Sequence, residues 1–271
     1  MKALRLAWIS PFLALSFAAH ADDGWVGNGG TPFLMKGKHP TIRMRDEHIR
    51  LYVGRKTTTV YCTFRFRNTG AATSVLMGFP DEGAEPDDAS TDSEDKPLSV
   101  FESFKSWVND RAVQTKFQKD QQGMFWRSKR VHFKAHQTVV VRDVYTLQTG
   151  AGDETGRDRL YYAKYVMNTG STWKGSIGHV LVDVRFYGFP KINRFADYAD
   201  LQDKCRSLAD SRAKVDAVMA RNKHTLFYQG FGSPRKLGSF IRFEAKRLEP
   251  DEDDDIFLAF APYKPAELQR P

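Results

Sequence analysis

The strongest constraint on the fold is alternation with a period of two. Val60, Cys62, Phe64 and Phe66 fall on every second residue, with Thr59, Tyr61, Thr63, Arg65 and Arg67 between them. Successive side chains of a strand point to opposite faces, so this pattern buries one face and leaves the other to water. Upstream, Ile49, Leu51 and Val53 alternate with His48, Arg50 and Tyr52 in the same way. Arg55-Lys56 lies near the turn between the two runs, and Asn68-Thr69-Gly70 marks the next turn, where Asn and Gly tolerate the required angles. Thr73 to Phe79 reads as a third strand, closed by Pro80. Three consecutive strands with short turns predict an antiparallel meander. Its core side carries Ile49, Leu51, Val53, Val60, Phe64 and Phe66, and its solvent side Arg65 and Arg67.

The rest of the chain continues the pattern with one interruption. Phe104 to Phe117 reads as a hairpin turning at Asn109-Asp110, although a helix with Val100, Phe104, Trp107 and Val108 on one face fits nearly as well. Further strands are predicted within 130–147, 161–166 and 177–186, and a polar loop over 150–159. Over 195–221, apolar residues at Tyr198, Leu201, Cys205, Leu208, Val215, Val218 and Met219 follow helical spacing in a segment without Gly or Pro, which predicts one long helix. Residues 240–243 and 256–260 read as two strands, with the acidic stretch 249–255 as the solvated tip of their hairpin. The segment 24–30, rich in Gly, reads as a loop. Residues 81–95 hold eight acidic side chains and no basic one, which predicts a mobile surface loop. Strands before and after a single helical segment give a mainly β fold, an antiparallel β-sandwich with one long helical insertion. The organisation expected is a leader over 1–21, a sandwich domain over 22–190, a helical insertion over 191–222 and a C-terminal hairpin over 223–271.

The first 21 residues have the form of a secretory leader: Lys2 and Arg5, then an apolar run, then Ala19-His20-Ala21 before Asp22. Cleavage there predicts a protein exported to the periplasm or secreted, and no later run approaches the roughly 20 apolar residues of a membrane span. Losing Lys2 and Arg5 leaves an excess of positive charge, which favours anionic surfaces such as phospholipid heads or acidic glycans. Export argues against nucleic acid as a partner. The two cysteines, Cys62 and Cys205, are an even pair and permit a disulfide in an oxidising compartment.

No catalytic, cofactor or metal constellation is read. His132 and His136 have the four-residue separation of helical zinc ligands, but on a strand they would sit about 13 Å apart, too far for one ion. The acidic stretch 81–95 lacks the Gly and terminal Glu of a calcium loop. No Ser occupies a Gly-x-Ser-x-Gly elbow, and neither Cys has a nearby His. Two features mark a possible binding face. Trp126, Arg127, Lys129, Arg130 and Lys134 mix aromatic and basic groups in one short run, as a site for an anionic ligand would. Trp173, flanked by Gly170 and Gly175, can stack on a sugar ring or plug the end of the sandwich.

Asn28-Gly29-Gly30, residues 40–51, Phe64-Arg65-Phe66-Arg67-Asn68-Thr69-Gly70 running to Gly78-Phe79-Pro80, and residues 168–178 with Thr169-Gly170-Ser171-Thr172-Trp173-Lys174-Gly175 follow one another along the chain. Together they resemble an uncharacterised family of exported bacterial proteins, a domain of unknown function. The resemblance implies export from a bacterial cell and carries over no catalytic residue. The function expected is a non-catalytic envelope protein that binds or scaffolds another envelope component, such as a protein, a glycan or an anionic membrane surface. The alternative is a hydrolase acting on cell-wall or glycan substrates.

Overall fold

The computed structural model describes residues 24–26, 38–81, 99–119, 125–152, 160–208 and 211–262. Its elements begin with β1 (Gly24–Val26), the long pair β2 (Ile42–Val53) and β3 (Thr57–Asn68), and β4 (Thr73–Pro80). Next come β5 (Phe101–Val108), β6 (Arg111–Val113), β7 (Lys116–Lys119), β8 (Phe125–Phe133) and β9 (Thr138–Gln148). After β10 (Gly150–Gly152), β11 (Leu160–Tyr165), β12 (Ile177–Phe186) and β13 (Arg194–Asp197) stand two helices, α1 (Tyr198–Ser207) and α2 (Arg212–Arg221). The last strands are β14 (Thr225–Gln229), β15 (Arg235–Leu237), β16 (Phe240–Leu248) and β17 (Ile256–Pro262).

These strands make three sheets, and the fold is mainly β and sandwich-like. The large sheet runs β15-β16-β12-β2-β3-β9-β5-β6, a second runs β1-β4-β8-β7, and a third runs β10-β11-β17-β14-β13. The hairpin β2–β3 has the predicted register: Ile49, Leu51, Val53, Val60, Phe64 and Phe66 are all buried, while Arg65 is exposed and Arg67 half-buried. The turn at Asn109-Asp110 is also as read, both residues having positive φ between β5 and β6. The hairpin reading therefore holds as far as Val113, the helix does not form, and Lys116 and Phe117 leave the hairpin for β7 of the second sheet.

The meander does not continue past β3. That strand's other edge is filled along its whole length by β9, so β4 crosses to the second sheet, between β1 and β8. Asn68 shapes the corner: its side-chain amide donates to the carbonyls of Ala71 (2.6 Å) and Lys134 (3.0 Å), and its Oδ1 accepts from the Gly70 amide (3.0 Å). The Gly-rich segment read as a loop supplies β1 at its Gly24–Val26 end, while 27–30 lie outside the described residues. Two strand pairs are parallel rather than antiparallel, β2 with β12 and β13 with β14.

Likewise, β16 and β17 are not a hairpin. β16 pairs β12 in the large sheet and β17 pairs β11 and β14 in the third, so the acidic run 249–255 is a crossover. It is ordered by its own carboxylates. Asp251 accepts from the Asp253 amide (3.0 Å), Asp254 from the Asp251 amide (3.1 Å), and Asp255 from the amides of Met167 (2.7 Å) and Asn168 (3.1 Å). Unlike a solvated tip, this run ties the third sheet to the segment after β11.

The third sheet is buried on both faces, which explains the unbroken apolar run of β17. Ile256, Leu258 and Phe260 join the main core with residues of the other two sheets, while Ala259 joins a second cluster with Leu160 and Phe227 under the helices. Tyr198, Leu201 and Cys205 of α1, capped by Asp197, and Val215, Val218 and Met219 of α2 complete that cluster. The predicted helix is thus two ten-residue helices. One straight helix over 198–221 would run about 36 Å. The five to seven residues of β14 and β17 span only roughly 16–23 Å, so folding back keeps both apolar stripes on the sheet.

Candidate functional site

The structure splits the aromatic-basic run of β8 between two faces. Trp126 is buried. Arg127 lies over the Phe117 ring (4.7 Å) and pairs with Asp81 (2.8 Å). Lys129 is buried against Asp143, Nζ to Oδ2 2.6 Å, while Arg130 and Lys134 are exposed. Neighbours on a strand point to opposite sides, so a contiguous run cannot make one surface. Asp81, read as the start of a mobile acidic loop, is fully buried and also accepts from Ser99 Oγ (2.5 Å) and the Val100 amide (3.0 Å); residues 82–95 lie outside the described residues. Trp173 is a plug rather than a platform, with no exposed surface and its ring 4.8 Å from that of Phe66. Gly175 beside it has positive φ, and a Cβ at Gly178 would collide with the Arg45 carbonyl of β2. Gly175 and Gly178 are therefore fixed by geometry.

Cys62 and Cys205 are both buried, as two thiols rather than a bridge. The physical reason is the third sheet: Cys62 belongs to the main core on one side of it and Cys205 to the helix cluster on the other. Packed layers stand about 10 Å apart, beyond the roughly 4.4–6.8 Å between Cα atoms that a bridge requires.

Two buried titratable groups belong to the core. Glu47 of β2 accepts from the Tyr165 hydroxyl (3.1 Å), while its Oε2 has no hydrogen-bond partner among the described residues. Burial pushes its carboxyl up to about 8, the bond from Tyr165 acting in the opposite sense. His39 accepts the Ile42 (3.0 Å) and Thr41 (3.2 Å) amides at Nδ1, and burial pushes it down to about 4. Near its neighbour Thr172, Asn168, Thr169, Ser171, Thr172, Pro250, Asp251 and Asp253 line an open hollow of about 640 Å³.

The group with both exposure and convergent chemistry lies on the solvent face of the large sheet. Register aligns Arg242, Asp183, Arg50 and Tyr61 across β16, β12, β2 and β3, and sets Arg185 opposite Tyr52 in the next row. The Tyr52 ring meets Tyr61 edge-on (5.5 Å), Phe240 edge-on (6.2 Å) and Tyr187 near-parallel (6.1 Å). Arg50 lies over Tyr61 (5.9 Å), and Arg185 over both Tyr187 (4.9 Å) and Phe240 (5.8 Å). Tyr61 is 39% and Tyr187 42% exposed, beside Leu237 at 52%.

The acidic side chains of β2, β12 and β16 on this face, among the described residues, are each engaged by a cation. Asp183 holds Arg242 (2.7 and 2.9 Å) and His48 (3.0 Å). Its burial acts to raise the carboxyl, but the bonds from Arg242 and His48 outweigh this and hold it below its ordinary value. Glu244 holds His179 (2.9 Å) and Arg235 (2.6 Å), and the bond from His179, aided by the nearby arginines, keeps it below the usual range. Asp46 faces Arg65 (3.6 Å). Among the described residues no carboxylate lies within ion-pair distance of Arg50 or Arg185, whose guanidinium groups lie over aromatic rings. The patch can therefore take up negative charge and planar or ring-shaped apolar surface together.

No family model matches the chain, and no curated protein matches it. Among solved structures, a candidate nutrient-binding protein from Legionella pneumophila is similar in fold, with a TM-score of 0.57, 17% identity, and coverage of 89% of this chain and 70% of that one. An M1 zinc metallopeptidase from Deinococcus radiodurans aligns at a TM-score of 0.37 and 9% identity over 82% of this chain and 43% of its own. Leukotriene A4 hydrolase from Saccharomyces cerevisiae aligns at 0.41 and 7% identity, over 81% of this chain and 29% of its own. These two likenesses span less than half of the enzymes concerned and carry no argument about activity. The first shows a shared fold.

Proposed function

We propose that this chain is a non-catalytic protein of the bacterial envelope, exported through its N-terminal leader, that binds or scaffolds an anionic envelope component on the solvent face of its large sheet. One observation carries the reading: among the described residues Arg50 and Arg185 stand without carboxylate partners beside partly exposed rings, while the neighbouring Asp183, Glu244 and Asp46 are each engaged by another cation. The likeness to a nutrient-binding candidate agrees with a binding role.

The test is co-sedimentation of the chain from Asp22 onward with isolated bacterial envelopes, comparing wild type with Arg50→Ala/Arg185→Ala. Retention of the wild type, falling several-fold in the variant and with added salt, is expected. Equal retention of both proteins refutes the binding face. Release of soluble fragments from the envelopes refutes the non-catalytic half. Recovery of uncleaved protein in the cytoplasm of a bacterial host refutes the exported half.

A further inference from the structure

We propose that the component held on this face is an acidic polysaccharide strand, its sugar rings packed on Tyr61 and Tyr187 and its carboxylates on Arg50 and Arg185. This rests on the reading of the face as a binding face and adds the class of ligand. The first argument is the pairing of chemistries. A pyranose ring offers an apolar C–H face and, when acidic, a carboxylate at its edge, and the patch offers π-faces and guanidinium forks side by side. Arg50 and Arg185 are one strand and two residues apart, about 8 Å between Cα atoms by sheet spacing. That diagonal suits charges repeated along a strand better than a single compact anion.

The second argument excludes other anionic partners. An acidic peptide that binds a sheet gains most from a free edge, where its backbone extends the ladder. Here β12, β2 and β3, which carry Arg185, Arg50 and Tyr61, have neighbours on both sides, and β15 covers β16 at Phe240, Ile241 and Arg242, so recognition at the patch falls to side chains alone. An anionic membrane is a plane, and covering this face with it would bring Asp183, Glu244 and Asp46 against like charge and strip water from their ion pairs. A narrow chain lying along the diagonal from Tyr61 past Arg50 and Arg185 to Tyr187 leaves the pairs of Glu244 and Asp46 uncovered, since both lie on the far side of Arg50 from Arg185.

The experiment measures binding of the chain from Asp22 onward by calorimetry at about 0.15 M salt. The probes are polygalacturonate and alginate as acidic glycans, dextran as a neutral glycan, poly-glutamate as an acidic chain without rings, and phosphatidylglycerol vesicles. The proteins are wild type, Tyr61→Ala/Tyr187→Ala and Arg50→Gln/Arg185→Gln, each checked for folding by circular dichroism. Binding of at least one acidic glycan more tightly than any other probe is expected. Loss of the two rings should weaken it about tenfold while leaving poly-glutamate unaffected, and loss of the two arginines should weaken both about tenfold or more. Poly-glutamate or vesicles bound as tightly as the glycans, with dependence on the arginines and none on the tyrosines, overturns the glycan and leaves the binding face standing. Binding of no anionic probe, or binding indifferent to both double substitutions, overturns both.

Discussion

Replacing Glu47 by Gln isolates the energetic effect of one buried carboxyl. Glu47 is 1% exposed, and burial lifts it from an ordinary 4.5 to about 8 in the fold. A raised folded-state value means that the native protein binds this proton more tightly than the unfolded chain does. The contribution to stability is then complete below pH 4.5 and is lost as pH rises from 4.5 through 8. Each pH unit in that window is worth about 1.4 kcal/mol, so the group costs about 3 kcal/mol at pH 7 relative to mild acid and about 5 kcal/mol above pH 8. Gln cannot ionise and retains an oxygen to accept from Tyr165. Urea unfolding of wild type and Glu47→Gln at pH 5, 6, 7 and 8 gives a difference from which every other titrating group cancels. That difference should move in favour of Gln by about 4 kcal/mol between pH 5 and pH 8. Tyr165→Phe removes the hydrogen bond that favours the carboxylate and should extend the sensitive window to higher pH. A difference that stays flat from pH 5 to pH 8 would mean that water reaches Glu47 and that the buried placement is wrong.

Three further outcomes are expected. Phe64→Ala, which empties a fully buried site in the main core, should cost about 3–5 kcal/mol in urea unfolding with the slope m unchanged. Lys129→Met alone leaves Asp143 buried without its cation and should cost about 3–5 kcal/mol, whereas Lys129→Met with Asp143→Leu should recover most of that loss in the same assay. His39, held down to about 4 by burial, contributes stability that is present above pH 6.5 and lost as pH falls toward 4. The stability advantage of wild type over His39→Ala at pH 7 should therefore narrow on acidification to pH 4.

The strands of this chain are legible because burial on one face writes itself into sequence as alternation. Ile49 to Val53 and Val60 to Phe66 carry the register of β2–β3 without any knowledge of the partner sheet. What joins the strands is far less legible. The corner at Asn68-Thr69-Gly70 has the composition of a hairpin turn, and only the occupation of β3's edge by β9 sends β4 elsewhere. The acidic stretch 249–255 has the composition of a solvated tip, and only the pairing of β16 with β12 and of β17 with β11 and β14 reveals it as a crossover. Polar side chains satisfy a turn and a crossover alike, so local composition cannot separate the two.

The same physics decides where a binding surface can be read. On a strand, residues that are adjacent in sequence face opposite ways, so the run from Trp126 to Arg130 was bound to be divided between core and solvent. A surface on a sheet has to be assembled from alternate residues of one strand and from register partners on its neighbours. Tyr61 is legible as an outward residue, since it sits between Val60 and Cys62, and Arg50 and Tyr52 follow from their places between Ile49, Leu51 and Val53. Their junction with Arg185, Tyr187 and Phe240 depends on the parallel pairing of β2 with β12 and on β16 alongside, contacts between segments far apart in the chain. The sequence signal for such a site is therefore aromatic and arginine side chains at the outward positions of several alternating strands, which no single contiguous motif can display.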